Sequence, residues 1–146
     1  MPIVNRISAY HDDMKDWRHD IHQHPELAYE EKQTASQVVK LLKSFGITEI
    51  AEGIGGTGVV AVIKNGDGPR IALRADMDAL PISEETGADY SSVHQGVMHA
   101  CGHDGHTVML LGAARYLAET KNFRGTIVLI FQPAEEGFAG ARAMMK

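Results

Sequence analysis

The chain has few of the features that mark secreted, membrane-spanning or disulfide-bonded proteins. It has one cysteine among 146 residues, so no disulfide can form within the chain, and a reducing compartment is the natural environment for such a protein. No run approaches the roughly 18 apolar residues of a membrane helix. The first residues also lack the basic start and apolar stretch of a secretory signal. These absences predict a cytoplasmic protein.

Positive charge is also scarce. The chain has 14 Lys and Arg residues against 19 Asp and Glu residues, which gives a net charge of −5. Nucleic acids and anionic membrane surfaces bind proteins through a basic face, so the composition argues against both as partners. The apolar fraction of 44% is that of an ordinary globular protein, and the length suits one domain with a real core.

Hydrophobic periodicity divides the chain into alternating helices and strands. It predicts helices over about 7–22, 30–45 and 104–119, and strands over 57–64, 70–75 and 125–132. Gly46 is predicted to cap the second helix and Asp104 the third, and segment 65–69 predicts a hairpin-type turn. The alternation indicates an α/β domain with a mixed, largely parallel sheet flanked by helices. Sites in such sheets collect beyond the carboxyl ends of strands.

The segment from His99 to His106 holds the only cysteine and three of the eight histidines. Cys101 and His103 lie one residue apart beside glycine, where a thiolate and an imidazole can both reach one divalent ion. Two other interpretations remain open. A lone cysteine is commonly a small apolar core residue, and Cys101 with His103 or His106 also resembles a cysteine nucleophile and its base. The density of ligand-type side chains favours the metal.

Two carboxylate pairs, Asp76 with Asp78 and Glu135 with Glu136, directly follow predicted strands. One glutamate of the second pair is suited to bind a metal while its neighbour takes a proton from water, as metal-assisted hydrolysis requires. An acidic pair is equally typical of a solvated surface. Asp76 either orients a histidine ligand or caps a turn. The polar segment 22–27 is interpreted as the end of the first helix rather than as a metal site.

Five segments of the chain carry a family resemblance. They are 17–27 (WRHDIHQHPEL), 55–58 (GGTG), 73–81 (LRADMDALP), 98–106 (MHACGHDGH) and 131–137 (FQPAEEG). In this order they resemble the hippurate hydrolase group of N-acyl-amino-acid amidohydrolases, within the dinuclear zinc-peptidase superfamily. The resemblance extends from about Arg18 to the last residue.

This resemblance implies roles for particular residues. Cys101, His103 and Glu136 would be metal ligands, and Glu135 the general base that activates water at the metal. Asp76 falls where related peptidases place an acidic residue beside a ligand histidine, which implies a catalytic role. The implied cofactor is a pair of divalent ions, with zinc or manganese expected and cobalt or nickel compatible with these ligands. The implied reaction is hydrolysis of the amide bond of a small N-acyl amino acid.

The resemblance also bears on how much of the enzyme is present. Family members are much longer, so residues 1–146 are expected to be the N-terminal part of the catalytic domain, without the smaller lid or dimerisation domain. The family has two further histidine ligands after the glutamate pair, whereas no histidine follows His106. We therefore expect the isolated chain to be inactive. The alternative is a non-catalytic remnant that binds metal weakly or associates with a partner. A homo-oligomer of the full-length protein is left open.

Overall fold

In the computed structural model, which describes residues 5–146, one four-stranded sheet is flanked by helices. The helices are α1 (Asn5–Ser8), α2 (His11–Gln23), α3 (Lys32–Ser44), α4 (His103–Thr120) and α5 (Gly140–Met144). The strands are β1 (Glu49–Ile54), β2 (Gly58–Asn65), β3 (Arg70–Asp76) and β4 (Gly125–Gln132). The predicted α/β domain with a mixed sheet is confirmed. Residues 1–4, which begin the segment predicted to lack a secretory signal, lie outside the described residues.

The strand order is β1-β2-β4-β3. β2 pairs antiparallel with β1 and with β4, and β3 runs parallel to β4. The predicted hairpin between β2 and β3 is therefore wrong, because β4 lies between them. β4 is the strand with the most continuous apolar run, so it occupies a position with partners on both sides, and the more exposed β3 takes an edge. Within residues 5–146 the parallel part of the sheet is one strand pair, less than the sequence predicted.

The second and third predicted helices agree with α3 and α4 to within two residues. The first, predicted as one helix over 7–22, is wrong in its continuity, because a turn at residues 9–10 divides it into α1 and α2. Gly46 follows α3 with a φ of +81°, the left-handed conformation expected of a C-terminal cap. Asp104 does not cap α4, whose N-cap is Gly102. Its buried carboxylate instead accepts hydrogen bonds from Arg18 Nε at 3.0 Å and His22 Nδ1 at 2.8 Å, both on α2.

The core lies between the sheet and helices α3 and α4. Its members with no exposed surface are Val38, Leu42, Ala61, Met77, Leu111, Ala114, Leu129 and Phe131. Burying each large apolar side chain contributes about 1.5–3 kcal/mol, and this packing fixes α4 against the carboxyl ends of β3 and β4. None of the helices in the described part of the chain is long and apolar enough to cross a bilayer.

Leu129 gives a direct test of this core, since it has no exposed surface and lies in the middle of β4. We expect Leu129→Ala to lower the free energy of unfolding by about 2–5 kcal/mol, because the substitution loses apolar burial and leaves a cavity. Urea unfolding measures the change. The control is Ile71→Ala on β3, where the side chain is 56% exposed; a loss there as large as at Leu129 would contradict the proposed core.

A cluster of charged and aromatic side chains joins the N-terminal helices to α4 around Glu119. The Tyr10 hydroxyl and the Arg6 guanidinium hydrogen-bond to its carboxylate and hold the pKa of Glu119 at about 2, below its ordinary value of 4.5. A depressed folded-state pKa stabilises the fold above the unfolded-state pKa, and that stabilisation is lost as the pH falls towards the folded-state pKa.

We therefore expect Glu119→Gln to lower the melting temperature at pH 7 by a few degrees at most, because the side chain is 30% exposed and solvent weakens the ion pairs. The gap between variant and wild type should close as the pH falls from about 4.5 towards 2. Thermal unfolding followed by circular dichroism across this range measures it. An equal gap at pH 7 and pH 2.5 would contradict the assignment.

Candidate metal centre

The carboxyl ends of β3 and β4 lie side by side and meet the first turn of α4. The two strands are parallel, with Asp76 in register with Gln132, so the segments that follow them leave the sheet at the same edge. The Met77 N–H donates to the Gln132 carbonyl at 3.0 Å and keeps the two segments adjacent. This edge is where Asp76, Asp78, Glu135 and Glu136 come together with residues of segment 101–106.

Cys101, His103 and Glu136 form one group of ligand atoms. A thiol sulfur, a ring nitrogen and a carboxylate oxygen, one from each residue, all lie within 4.8 Å of one another. His103 is buried, whereas the Glu136 side chain is 28% exposed. His103 Nε2 is 3.8 Å from Glu136 Oε1 and 3.9 Å from Glu135 Oε2. The structure thus brings together the three predicted ligands and places the predicted base beside them.

Asp78 joins His103 to the glutamate turn. His103 Nδ1 lies 2.9 Å from the Asp78 carbonyl oxygen and 3.2 Å from Asp78 Oδ1. The Glu136 N–H donates to Asp78 Oδ2 at 2.9 Å. When Nδ1 donates to Asp78, the Nε2 lone pair is left free to face the ligand group. The sequence predicts a role for Asp76 and none for Asp78, although Asp78 lies in the same loop just beyond the predicted strand.

Asp76 contacts a different histidine. Its Oδ1 is 2.7 Å from His106 Nδ1 and 3.6 Å from His103 Nε2, and its Oδ2 is 3.4 Å from the Arg74 guanidinium. Asp76, His103 and His106 form a second group of possible ligand atoms within 4.8 Å of one another. The two groups share His103. The catalytic role of Asp76 stays a prediction.

The electrostatics of the site favour the binding of a cation. Burial lowers the pKa of His103, but the hydrogen bond with Asp78 and the charge of Asp76 outweigh it and the pKa is raised. For Asp78 the effect of burial is the opposite, because burial raises the pKa of a carboxylic acid. The hydrogen bonds with His103 and with the Glu136 backbone N–H outweigh burial, and the pKa of Asp78 is lowered. The Glu136 carboxylate, followed by partial burial, raises the pKa of the Cys101 thiol.

This environment separates the metal interpretation from the nucleophile interpretation of Cys101. A nucleophilic cysteine needs a lowered pKa, which a neighbouring cation or imidazolium provides. Here the Glu136 carboxylate has the largest effect on the pKa of the thiol and raises it, and the Asp76 and Glu135 carboxylates act in the same direction. A divalent ion at this position would offset those charges and accept the thiolate as a ligand. The donor set therefore fits a divalent ion.

A buried polar network supports α4 behind this site. His22 is 5% exposed and bridges Asp104 Oδ2 to Glu84 Oε1, the second contact being 3.1 Å. Burial raises the pKa of Glu84, but the Ser92 N–H, the Thr86 hydroxyl and His22 lower it to about 2. The interpretation of segment 22–27 as the end of a helix is right for His24, which hydrogen-bonds to the Asp20 carbonyl just after α2, but His22 has a further role as a buried member of this network. His99 is buried too, and its ring belongs to neither ligand group.

Comparison with known proteins places this site within a family. A sequence profile of the peptidase family M20/M25/M40 matches residues 72–146, just over half of the chain. The chain belongs to this family. The matched segment contains residues 72–76 of β3, all of α4 and β4, and every residue of the two ligand groups. The predicted resemblance to the dinuclear peptidase superfamily is confirmed.

Relatives within the family are amidohydrolases and metal-binding peptidases. The hippurate hydrolase of Campylobacter jejuni is 51% identical over all of this chain and 38% of its own length. The N-acyl-L-amino acid amidohydrolase of Geobacillus stearothermophilus is 45% identical over 88% of this chain and 35% of its own length. A crystal structure of a Bacillus subtilis dinuclear metal-binding M20 peptidase matches with a TM-score of 0.89 and 44% identity, covering 94% of this chain and 39% of that one.

These matches show which part of the relatives the chain corresponds to. The fold of residues 5–146 is that of part of an M20 catalytic domain, and the chain spans between 35% and 39% of the length of these relatives. A divalent metal is supported by the dinuclear relative together with the donor group of this chain.

Proposed function

We propose that this chain supplies one wall of the catalytic centre of a metal-dependent amidohydrolase that cleaves N-acyl amino acids of the hippurate type. The observation that carries the proposal is the convergence of Cys101, His103 and Glu136 within 4.8 Å, with the Glu135 carboxylate next to them. The names of the relatives, hippurate hydrolase and N-acyl-L-amino acid amidohydrolase, support the substrate class.

Cys101 Sγ, His103 Nε2 and a Glu136 oxygen would hold a divalent ion. Such an ion, when bound, polarises a carbonyl oxygen and makes water more acidic. Glu135 is the general base in this proposal, because its side chain is 40% exposed and its Oε2 lies 3.9 Å from His103 Nε2. After taking a proton from water, the same carboxyl can pass it to the amine that leaves when the amide C–N bond breaks.

Asp76 and Asp78 have supporting roles in this proposal. Asp78 fixes the ring of His103 and the backbone of Glu136 at once. Asp76 holds the half-exposed ring of His106. We retain Asp76 as a catalytic residue, because its negative charge lies 3.6 Å from His103 Nε2. Contacts of this kind typically change metal affinity or activity by about 10–100-fold.

The nature of the ions, the compartment and the assembly are also part of the proposal. We propose two divalent ions per complete site, with zinc or manganese as the expected ions and cobalt or nickel as alternatives for the same donors. A cytoplasmic location suits a chain with a single cysteine, since its thiol would stay reduced there. The partner is a small molecule rather than a nucleic acid or membrane, and the full-length protein can assemble as a homo-oligomer.

We further propose that residues 1–146 alone, as the N-terminal part of the catalytic domain, do not turn over substrate. The Cys101 group offers one ion three donors, and a dinuclear centre needs more than this group provides. Sequencing past the codon for Lys146 and assaying the 146-residue chain are the direct tests. Hydrolysis of hippurate by that chain alone would overturn this part of the proposal and leave the metal site intact.

Metal removal tests the central claim. We expect exhaustive chelation of the native gene product to abolish hydrolysis of hippurate, and addition of zinc or manganese to restore it, because both carbonyl polarisation and water activation depend on the ion. Released product is measured before and after each step, and an apo sample to which magnesium is added is the control. Activity that survives exhaustive chelation would contradict the proposed function.

A further inference from the structure

The turn that carries Glu135 and Glu136 is held from both ends by buried carboxylates. On one side Asp78 Oδ2 accepts the Glu136 N–H, as described above. On the other side Glu31 Oε1 accepts the Ala134 N–H at 2.8 Å. Glu135 therefore lies between two anchored N–H groups, those of Ala134 and Glu136. The anchor of Ala134, Glu31, is 103 positions away in sequence.

Glu31 is unusual because its side chain carries a carboxylate and yet has no exposed surface. Its two oxygens have separate partners, the Ala134 N–H on Oε1 and the Thr57 hydroxyl on Oε2. A buried carboxylate is costly unless hydrogen bonds replace its water. Both hydrogen-bond donors to Glu31 lie outside α3, and one of them, the Ala134 N–H, belongs to the glutamate turn.

Ala134 has a backbone conformation that needs such support. Its φ is +51°, in the left-handed region that is strained for a residue with a Cβ, and it has no exposed surface. A charge-assisted hydrogen bond to its N–H is about twice as strong as a neutral one. The bond from Glu31 therefore offsets the strain at the residue that sets the direction of Glu135.

The start of α3 does not depend on the Glu31 carboxylate. Glu31 is the N-cap residue, but its side chain makes no capping hydrogen bond. The Glu26 carboxylate instead accepts the N–H groups of Gln33 at 3.0 Å and Thr34 at 2.8 Å. Glu26 and Glu31 lie at the same helix start, but only Glu31 reaches the glutamate turn. This division of contacts provides a matched pair of residues.

We propose that Glu31 is a positioning residue for the catalytic centre. It fixes the Ala134 peptide so that Glu136 meets Cys101 and His103, and Glu135 stays beside them. The inference deepens the proposed function and rests on it where metal binding is concerned. The hydrogen bond by which Glu31 fixes the turn does not depend on metal binding.

The first experiment measures the turn without any metal. In Glu31→Gln, which keeps the size of the side chain, we expect the Ala134 amide hydrogen to exchange about tenfold faster, because a neutral acceptor replaces a charged one. The Glu135 and Glu136 amide signals should shift in nuclear magnetic resonance spectra. In the matched control Glu26→Gln, the affected amides should be those of Gln33 and Thr34.

The second experiment titrates zinc into the full chain by calorimetry. We expect Glu31→Gln to weaken zinc binding by about tenfold and Glu26→Gln to leave it within about twofold. In a Glu136→Gln background the effect of Glu31→Gln should disappear, since the two changes act through one ligand. Thr57→Val removes the other partner of Glu31 and should give a smaller loss, so it serves as the test if Glu31→Gln does not fold.

The outcomes separate the two proposals. Unchanged Ala134 exchange and unchanged turn signals in folded Glu31→Gln, or in Thr57→Val if Glu31→Gln does not fold, would overturn the positioning role. Equal losses of zinc affinity in Glu31→Gln and Glu26→Gln would also overturn it, since the effect would then belong to α3. A wild-type chain that binds no zinc, together with an altered turn in Glu31→Gln, would count against the proposed function and leave Glu31 as the anchor of the turn.

Discussion

Glu136→Gln should lower the affinity of the chain for zinc by more than about 100-fold, the largest effect on metal affinity that we expect from a single substitution. Loss of contacts around a ligand costs about 10–100-fold, and this change removes the charge of a ligand itself. The amide keeps the size of the side chain, and the Glu136 N–H can still donate to Asp78. The loss should therefore reflect ligation rather than misfolding.

Calorimetric titration with zinc measures this effect, and circular dichroism confirms that the variant is folded. The control is Glu85→Gln, which makes the same chemical change at an exposed residue. Zinc affinity within about threefold of wild type in Glu136→Gln would show that Glu136 is not a ligand and would remove the main support for the proposed centre.

Glu135→Gln should lower kcat for hippurate by about 10²–10⁴-fold, the usual contribution of a general base. Zinc affinity should stay within about threefold, because the role proposed for Glu135 is proton transfer and not ligation. Loss of kcat without loss of zinc in Glu135→Gln, and loss of zinc in Glu136→Gln, would distinguish the base from the ligand. Turnover is measured in the native gene product with saturating hippurate, so that kcat is separated from KM.

Two results would contradict these roles in different ways. If Glu135→Gln loses zinc as strongly as Glu136→Gln, the two glutamates act together as ligands and the base lies elsewhere. If Glu135→Gln hydrolyses hippurate at the wild-type rate, the Glu135 carboxylate takes no part in the reaction. Glu85→Gln again provides the matched control for the change from carboxylate to amide.

Much of the local structure could be predicted from the sequence because it depends on neighbouring residues. The apolar run 125–132 predicted β4 with the same bounds as the structure, and the periodic segment ending near Phe45 predicted α3 with its cap at Gly46. The choice of strand partners could not be predicted in this way. Turn chemistry at 65–69 favours a hairpin, but the insertion of β4 between β2 and β3 depends on burial over the whole sheet.

The same distinction applies to the site. Cys101, His103 and the glutamate pair could be found because several ligand-type residues lie together in short segments. Asp78 and Glu31 could not be assigned, since their decisive partners lie 25 and 103 positions away. A buried carboxylate in a sequence looks like any other acidic residue until its hydrogen-bond partners are known. Long-range support of this kind is a property of the folded chain.

The sharing of His103 between the two ligand groups has a consequence for stoichiometry. An imidazole nitrogen has one lone pair, and Asp78 already occupies Nδ1. An ion beside Cys101 and Glu136 and an ion beside Asp76 and His106 would therefore compete for Nε2. Occupation of one group should therefore weaken binding at the other, so residues 1–146 alone should take up one tightly bound ion per molecule, half the number proposed for the complete site.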